Sequence, residues 1–522
     1  MFLEDELSLV EKLGIHDNFQ LEVKLEYPFD PKSKNNFYFT DIYFFFPSNL
    51  NINPATYDSK RFYDDIRNYI RFKTPILPLD QILNPETQNS PLNILNSLIN
   101  NRHQQDASAF GKNVQYESKM LACILRASLR ESAKLIQELI KKDAELDRIN
   151  GLNYARSSIQ SLQKIIQIFR SVTDSLIDSN TPRTLLVSLR LVDEFCSLAT
   201  ESFGIKLLRI MENWPRDLIR PKEYSLLEGE TKCMISDETR YRIARAFRSN
   251  ADPNTDNEEL IYRRGLLKRF VFTNLFLEIQ REQSISRWQQ LLFGIAAGLS
   301  MLFATAVTFL AQTFLAQISW AFFAVIVISY IFKDRIKEGF KYFFSQLMNK
   351  KLYDQAIAMI DAEDGKKIGR CYQKIQYVPE EKVSLEVMRL RNLGRTEILA
   401  EREFKETVLY FRNAITLYSE RIYKGHDRIS AVNHIFRYNI RHLLRNMDEP
   451  TTKVELYDPK NDAVNTIQAS KTYHMNIIFS LTGKDNQTES IKIRLILNRN
   501  GIKRVEQLDE NGTTWKVDSL AE

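Results

Sequence analysis

The sequence predicts an α+β chain with a mostly helical middle: an N-terminal β-containing module, a helical bundle, a two-helix transmembrane hairpin and a C-terminal α+β module closed by an antiparallel meander. Three observations carry this. Residues 19–27, FQLEVKLEY, alternate strictly between apolar and polar side chains, the pattern of a strand with one wet face. Residues 91–285 instead repeat apolar side chains at helical spacing. Trp288 to Phe332 then runs without a formal charge, long enough for two crossings of about 20 residues each and a tight turn.

A chain of 522 residues exceeds what one core usually organises. Five segments are expected: 1–90 an α+β module, 91–287 a cytoplasmic bundle, 288–332 the membrane hairpin, 333–375 a basic amphipathic juxtamembrane helix and linker, and 376–522 the C-terminal α+β module. A mean hydropathy of -0.33 fits one hairpin carried by water-soluble parts, not a polytopic transporter. The net charge of +6 is nearly balanced, with 72 basic against 66 acidic side chains, and excludes the concentrated basic stripe of a nucleic-acid binder. Cys123, Cys196, Cys233 and Cys371 form no CxxC pair and read as reduced, buried thiols in a cytosolic setting. The N-terminus MFLEDELSLVEKLG lacks the basic and apolar regions of a secretory signal.

In the N-terminal module, residues 19–27 are expected to pair as a hairpin with FYFTDIYFFF at 37–46, an aromatic strand suited to burial on both faces and stopped by Pro47. A helix is expected from Ser59 to Ile70 on the spacing of Phe62, Ile66 and Tyr69/Ile70, ending before Pro75. Arg61, Arg67, Arg71 and Lys73, interleaved with Tyr57, Tyr63 and Tyr69, form a candidate anion site; the alternative is a solvated helix face.

The bundle helices show one apolar face each, as in Leu121, Ile124, Leu125, Leu129 and Ile136, and Thr181-Pro182 opens a long one. The helix through YRRGLLKRF is read as continuous with the first membrane helix.

Within the uncharged run, Leu291–Ala311 and Leu315–Phe332 are the expected spans, about 32 and 27 Å long at helical rise. Gly294 and Gly298 form a GxxxG pair that serves either packing on the chain's own second helix or self-association. Basic residues flank both ends, which places both termini in the cytoplasm and the hairpin in the plasma (inner) membrane. Lys333, Arg335, Lys337 and Lys341 follow the second span on a helix suited to contact with anionic inner-leaflet lipid.

Toward the C-terminus, residues 407–418 are expected as a strand and ISAVNHIFRYNIRHLLRNM as a helix, followed by three strands in KTYHMNIIFSL, ESIKIRLILN and IKRVEQL, the last two joined through Asn500-Gly501 in a type I′ turn. No phosphate-cradling loop, HExxH or GxSxG occurs, and six histidines are sparse material for metals. His426, His434 and His442 are read as surface or interface residues.

No catalytic residue, cofactor or metal is assigned on this sequence. The expected function is a membrane-anchored cytoplasmic scaffold or sensor that meets lipid and a protein partner or a second copy of itself, and no nucleic acid. Two alternatives stand beside it. One is an oligomerising effector that forms a pore or perturbs the bilayer. The other is an enzyme with a cryptic site near Arg61, Arg67, Arg71 and Lys73, acting on an anionic or lipid-derived substrate.

Overall fold

The structure, a computed structural model, describes residues 10–102, 106–141, 145–177, 181–214, 221–282, 287–314, 320–349, 353–394, 406–460, 462–483, 487–508 and 514–517. Within them lie thirteen α-helices and antiparallel sheets, an α+β architecture.

Two sheets form the body. The smaller has four strands in the order β1 (Val10–Asp17), β2 (Gln20–Pro28), β9 (Ala431–Asn439) and β4 (Ile66–Phe72). The larger has nine: β15 (Thr514–Val517), β14 (Gly501–Leu508), β13 (Thr488–Asn498), β12 (Tyr473–Thr482), β3 (Asn36–Phe46), β8 (Thr407–Leu417), β7 (Lys367–Val378), β6 (Gln355–Asp361) and β5 (Leu277–Glu282). Their inner faces interdigitate: Phe44 meets Tyr438 at 5.1 Å between ring centroids, and Phe436 meets both Phe411 and Phe479 at just over 6 Å. The sheets nearly close on one another. β1 lies against β14 and β15, where the Ile502 N–H donates to the Asn18 carbonyl at 2.7 Å, and on the far side β4 approaches β5.

The expected pairing of residues 19–27 with 37–46 does not occur. β3 is apolar on both faces and takes the centre of the larger sheet between β8 and β12, with Phe44 on the inner face. Phe45 on the outer face is covered by Val387 and Leu390 of α11 (Leu385–Asn392). β2 keeps its alternation, although its polar side is part-buried with Glu22 held by Arg437, and pairs instead with β9, some 400 residues away in the chain. The boundaries at residues 90 and 376 therefore do not divide the sheets, because both are woven from the two ends of the chain. Two helix expectations fail for one reason. Helix α1 (Ser59–Asp65) ends before Ile66, and Ile66, Ile70 and Phe72 alternate inward along β4; Val432, His434, Phe436 and Tyr438 do the same along β9, leaving only a short helix at Arg441–Leu444. Short apolar runs satisfy both periods, and pairing between distant strands selects the extended one.

Between β4 and β5 the chain builds the bundle. Helix α4 (Ala107–Lys141) packs against α5 (Glu145–Asp174) and α6 (Arg183–Glu212), and α6 against α7 (Pro221–Ala244) and α8 (Glu258–Phe272). Its apolar faces join the sheet residues in one continuous core. Charges inside the bundle are paired, as burial requires: Arg170 bridges Asp193 at 3.0 Å and Glu238 at 2.7 Å, and Arg263 holds the fully buried Glu194 at 2.6 Å. Of the four cysteines Cys123, Cys196 and Cys371 are buried thiols, whereas Cys233 is exposed.

Helix α8 does not run on into the uncharged apolar segment, because β5 intervenes. After β5 come α9 (Arg287–Phe314) and α10 (Trp320–Asn349), packed on each other, and the chain returns to β6. The segment expected as a linker up to residue 375 thus contributes β6 and most of β7. Small residues form the seam between the two helices, with Ala296, Ser300 and Ala311 on α9 and Ser329 on α10 all buried. Outside the seam the pair is exposed and apolar: Leu302, Phe309, Phe314 and Trp320 are 70, 72, 82 and 87% exposed. Among the described residues one helix, at Gln290–Phe314, is long and apolar enough to cross a membrane. The apolar part of α10 is shorter, since Lys333, Asp334 and Arg335 follow Phe332, and the start of the expected second span at Leu315 lies outside the described residues.

Candidate functional site

At the root of the helical pair the edges of the two sheets face each other. β4 and β5 are both edge strands, joined by a single antiparallel bridge between Arg71 and Phe276. Beyond that bridge they diverge around a crevice of about 230 Å³. Its walls come from β4 (Arg67, Asn68, Tyr69), β5 (Ile279, Arg281), and the cross-strand pair Gln355 of β6 and Gln373 of β7. Apolar Ile66 and Ile357 make its floor, beside Tyr63.

The polar groups here are anchored from behind. His434, 1% exposed, bonds Asn68 Oδ1 through Nε2 at 2.9 Å and lies 3.4 Å from the Tyr27 hydroxyl through Nδ1; Tyr27 in turn meets Thr40 at 2.9 Å. Because Asn68 Oδ1 can only accept, Nε2 carries the proton, and the Asn68 amide N–H groups are left available to the crevice. Burial pushes the His434 imidazolium down to about 4, so the ring is neutral. Gln373 is fixed by donation to Asn413 Oδ1 at 2.9 Å. The Tyr63 hydroxyl donates to Asp354 at 3.1 Å, and burial followed by the nearby Asp354 carboxylate raises its pKa far above the ordinary phenol value.

The carboxylates nearest the crevice are engaged elsewhere. Asp354 also accepts the Ile375 N–H at 2.8 Å, and Glu282, the neighbour of Arg281, is held by Lys367 and by Arg370 at 3.3 Å. Directly across the β4–β9 ladder from Arg67 stands another arginine, Arg437, which pairs with Glu22 at 2.6 Å and stacks on Tyr69.

Of the four cationic residues expected to form an anion site, only Arg67 lines the crevice. Arg61 donates to the Thr56 carbonyl, Lys73 pairs with Glu26 at 2.6 Å, and the charge of Arg71 acts on the buried Cys123 thiol, lowering its pKa against a larger upward push from burial. The expected helix from Ser59 to Ile70 holds Arg61 and Arg67 on one element, whereas the break at Ile66 leaves Arg61 on the helix and puts Arg67 on β4. Arg281, Gln355 and Gln373 carry no local motif; only the pairing of distant strands brings them together.

A second buried polar group ties the bundle to the sheets. His426 accepts or donates at both ring nitrogens, to the Tyr116 hydroxyl at 2.9 Å and to Asp361 at 2.8 Å, with Phe72 packed on its face. Burial raises the Asp361 carboxyl, but the hydrogen bonds from His426 and the Glu363 N–H outweigh it and hold the group below its usual range. His426 and His434 are core residues, not surface ones. Among the described residues no three His, Cys, Asp or Glu side chains converge as a metal site requires.

On the helical pair, a Cβ placed on Gly294 or Gly298 would meet nothing within 4 Å, so neither glycine packs on the chain's own α10. Lys333, Lys337 and Lys341 are half-buried, Lys333 over the Tyr330 ring of its own helix at 4.2 Å and Lys341 reaching the Phe293 ring of α9 at 5.7 Å. Arg335 is exposed beside Glu338, and Tyr342 and Phe343 point outward. No family model matches this chain, and neither a curated protein nor a solved structure matches it.

Proposed function

We propose that this chain is a membrane-anchored sensor or scaffold, in which a cytoplasmic sheet-and-bundle body engages a partner and the α9–α10 pair fixes that body to the inner membrane. The pair forms a two-span hairpin with both termini on the cytoplasmic side, and Lys333, Arg335, Lys337 and Lys341 meet inner-leaflet lipid. One observation carries the reading: the exposed apolar pair is inserted between two adjacent antiparallel strands, β5 and β6, so it leaves the body at a rigid sheet edge instead of a free tail. Nothing in water covers those side chains, and a bilayer does. Extraction of membranes with alkaline carbonate tests it, with the protein expected to stay in the pellet; recovery in the supernatant would defeat the anchor.

A second reading, an effector whose hairpins associate in the bilayer, is favoured by the open face at Gly294 and Gly298. It predicts ion leakage on overexpression, and an undisturbed membrane potential would count against it.

A further inference from the structure

We infer that the crevice between β4 and β5 is a binding site for a small phosphate-bearing ligand, clamped between Arg67 on one lip and Arg281 on the other. This names the ligand of the sensor proposed above, and its link to the hairpin rests on that reading.

Three features converge on an anion. Arg67 and Arg281 both line the crevice, and neither forms an ion pair or hydrogen bond with a described residue, since Asp354 and Glu282 are committed to other donors. Arg67 also lies directly opposite Arg437, an arrangement of like charges that costs stability unless an anion lies nearby; Glu22 supplies one carboxylate, and Arg437 holds it. Finally, the remaining polar wall offers donors: the Asn68 amide with its oxygen turned to His434, and the Gln355 side chain at the start of β6.

The planar fork of arginine matches the geometry of phosphate oxygens, and two forks from opposite strands suit a group with several equivalent oxygens. A cavity of about 230 Å³ is below the roughly 300–1,000 Å³ of drug-sized pockets, so it takes a phosphate or pyrophosphate group and leaves a larger organic portion outside. Tyr69, 38% exposed at the rim, is placed to cover that portion. Two sources share this chemistry, a soluble phosphate compound and the headgroup of an anionic lipid. Arg281 precedes α9 and Gln355 follows α10, so both flank the route to the membrane.

Isothermal titration of the full-length protein in phosphatidylcholine nanodiscs with inorganic pyrophosphate tests the soluble source. Flotation with phosphatidylcholine vesicles, with and without phosphatidic acid, tests the lipid source, using the Arg67 and Arg281 variants for comparison. Arg67→Gln and Arg281→Gln are each expected to weaken binding roughly tenfold or more, as loss of a charged hydrogen-bond donor does. Arg67→Lys should retain part of the affinity, and Arg61→Gln should change nothing. Saturable binding of pyrophosphate lost in both glutamine variants supports the site with a soluble ligand; enrichment on phosphatidic acid vesicles lost in the same variants supports it with a lipid headgroup. Unchanged binding in both variants, or no saturable binding of either probe by folded protein, overturns it. Carbonate extraction fails separately, so loss of the anchor is distinguishable from loss of the ligand site.

Discussion

Glu282 and Ala356 are direct antiparallel partners, although the whole α9–α10 pair lies between them in the chain. The helical pair is thus an elaborated turn between neighbouring strands.

His434 makes the stability of the body depend on pH. Its folded-state pKa is lowered from 6.5 to about 4 by burial, so as pH falls the unfolded chain takes up this proton first. The contribution is complete above about pH 6.5 and is lost progressively between pH 6.5 and 4, on the order of 3 kcal/mol in all. Urea unfolding across that range should show the loss, and His434→Gln should flatten the slope. An identical slope in the variant would assign the pH dependence to other groups.

Gly501 locks the seam between the sheets. It adopts φ 128° at the start of β14, and a Cβ there would sit 2.2 Å from the Asn18 carbonyl oxygen, the atom that accepts the Ile502 N–H. Gly501→Ala should cost roughly 2 kcal/mol or more, from backbone strain together with displacement of Asn18. A thermal midpoint equal to wild type would show that β1 and β14 are not held together here.

Gly294→Leu combined with Gly298→Leu should leave membrane retention intact, because both glycines face open space and not α10. Any self-association through this face should fall, read as loss of a cross-linked dimer in membranes. Release of the variant from membranes would instead mean that the glycines serve the hairpin itself.

The strands with clean alternation were legible locally. Residues 19–27, 407–418 and the three C-terminal strands form where their patterns predict, and the both-faces-apolar run at 37–46 lies at the centre of a sheet. What local pattern could not supply was partnership. β2 and β9 find each other across most of the chain, and the same pairing turns Ile66–Phe72 and Ala431–Asn439 from expected helices into strands. The Asn500-Gly501 turn was placed correctly, but only Gly501 takes a positive φ; Arg499 and Asn500 form the loop, so the turn is not type I′. For the crevice, Arg67 was visible as one of four cations near tyrosines. Arg281 and Gln355 were not, since each sits in an unremarkable strand end and gains its role only from the gap between two sheets.

The anchoring role of the α9–α10 pair meets its most direct test in flotation of two proteins with liposomes: the full chain, and a chain in which residues 283–352 are replaced by a short turn joining Glu282 to Tyr353, so that Asp354 keeps its bonds to Tyr63 and Ile375. The pairing of β5 with β6 needs only a turn at that point, so the shortened chain should lose only the helical circular dichroism of α9 and α10, keep a cooperative unfolding transition and remain in the aqueous fraction, while the full chain floats. A shortened chain that still floats, or a full chain that does not, would contradict the account.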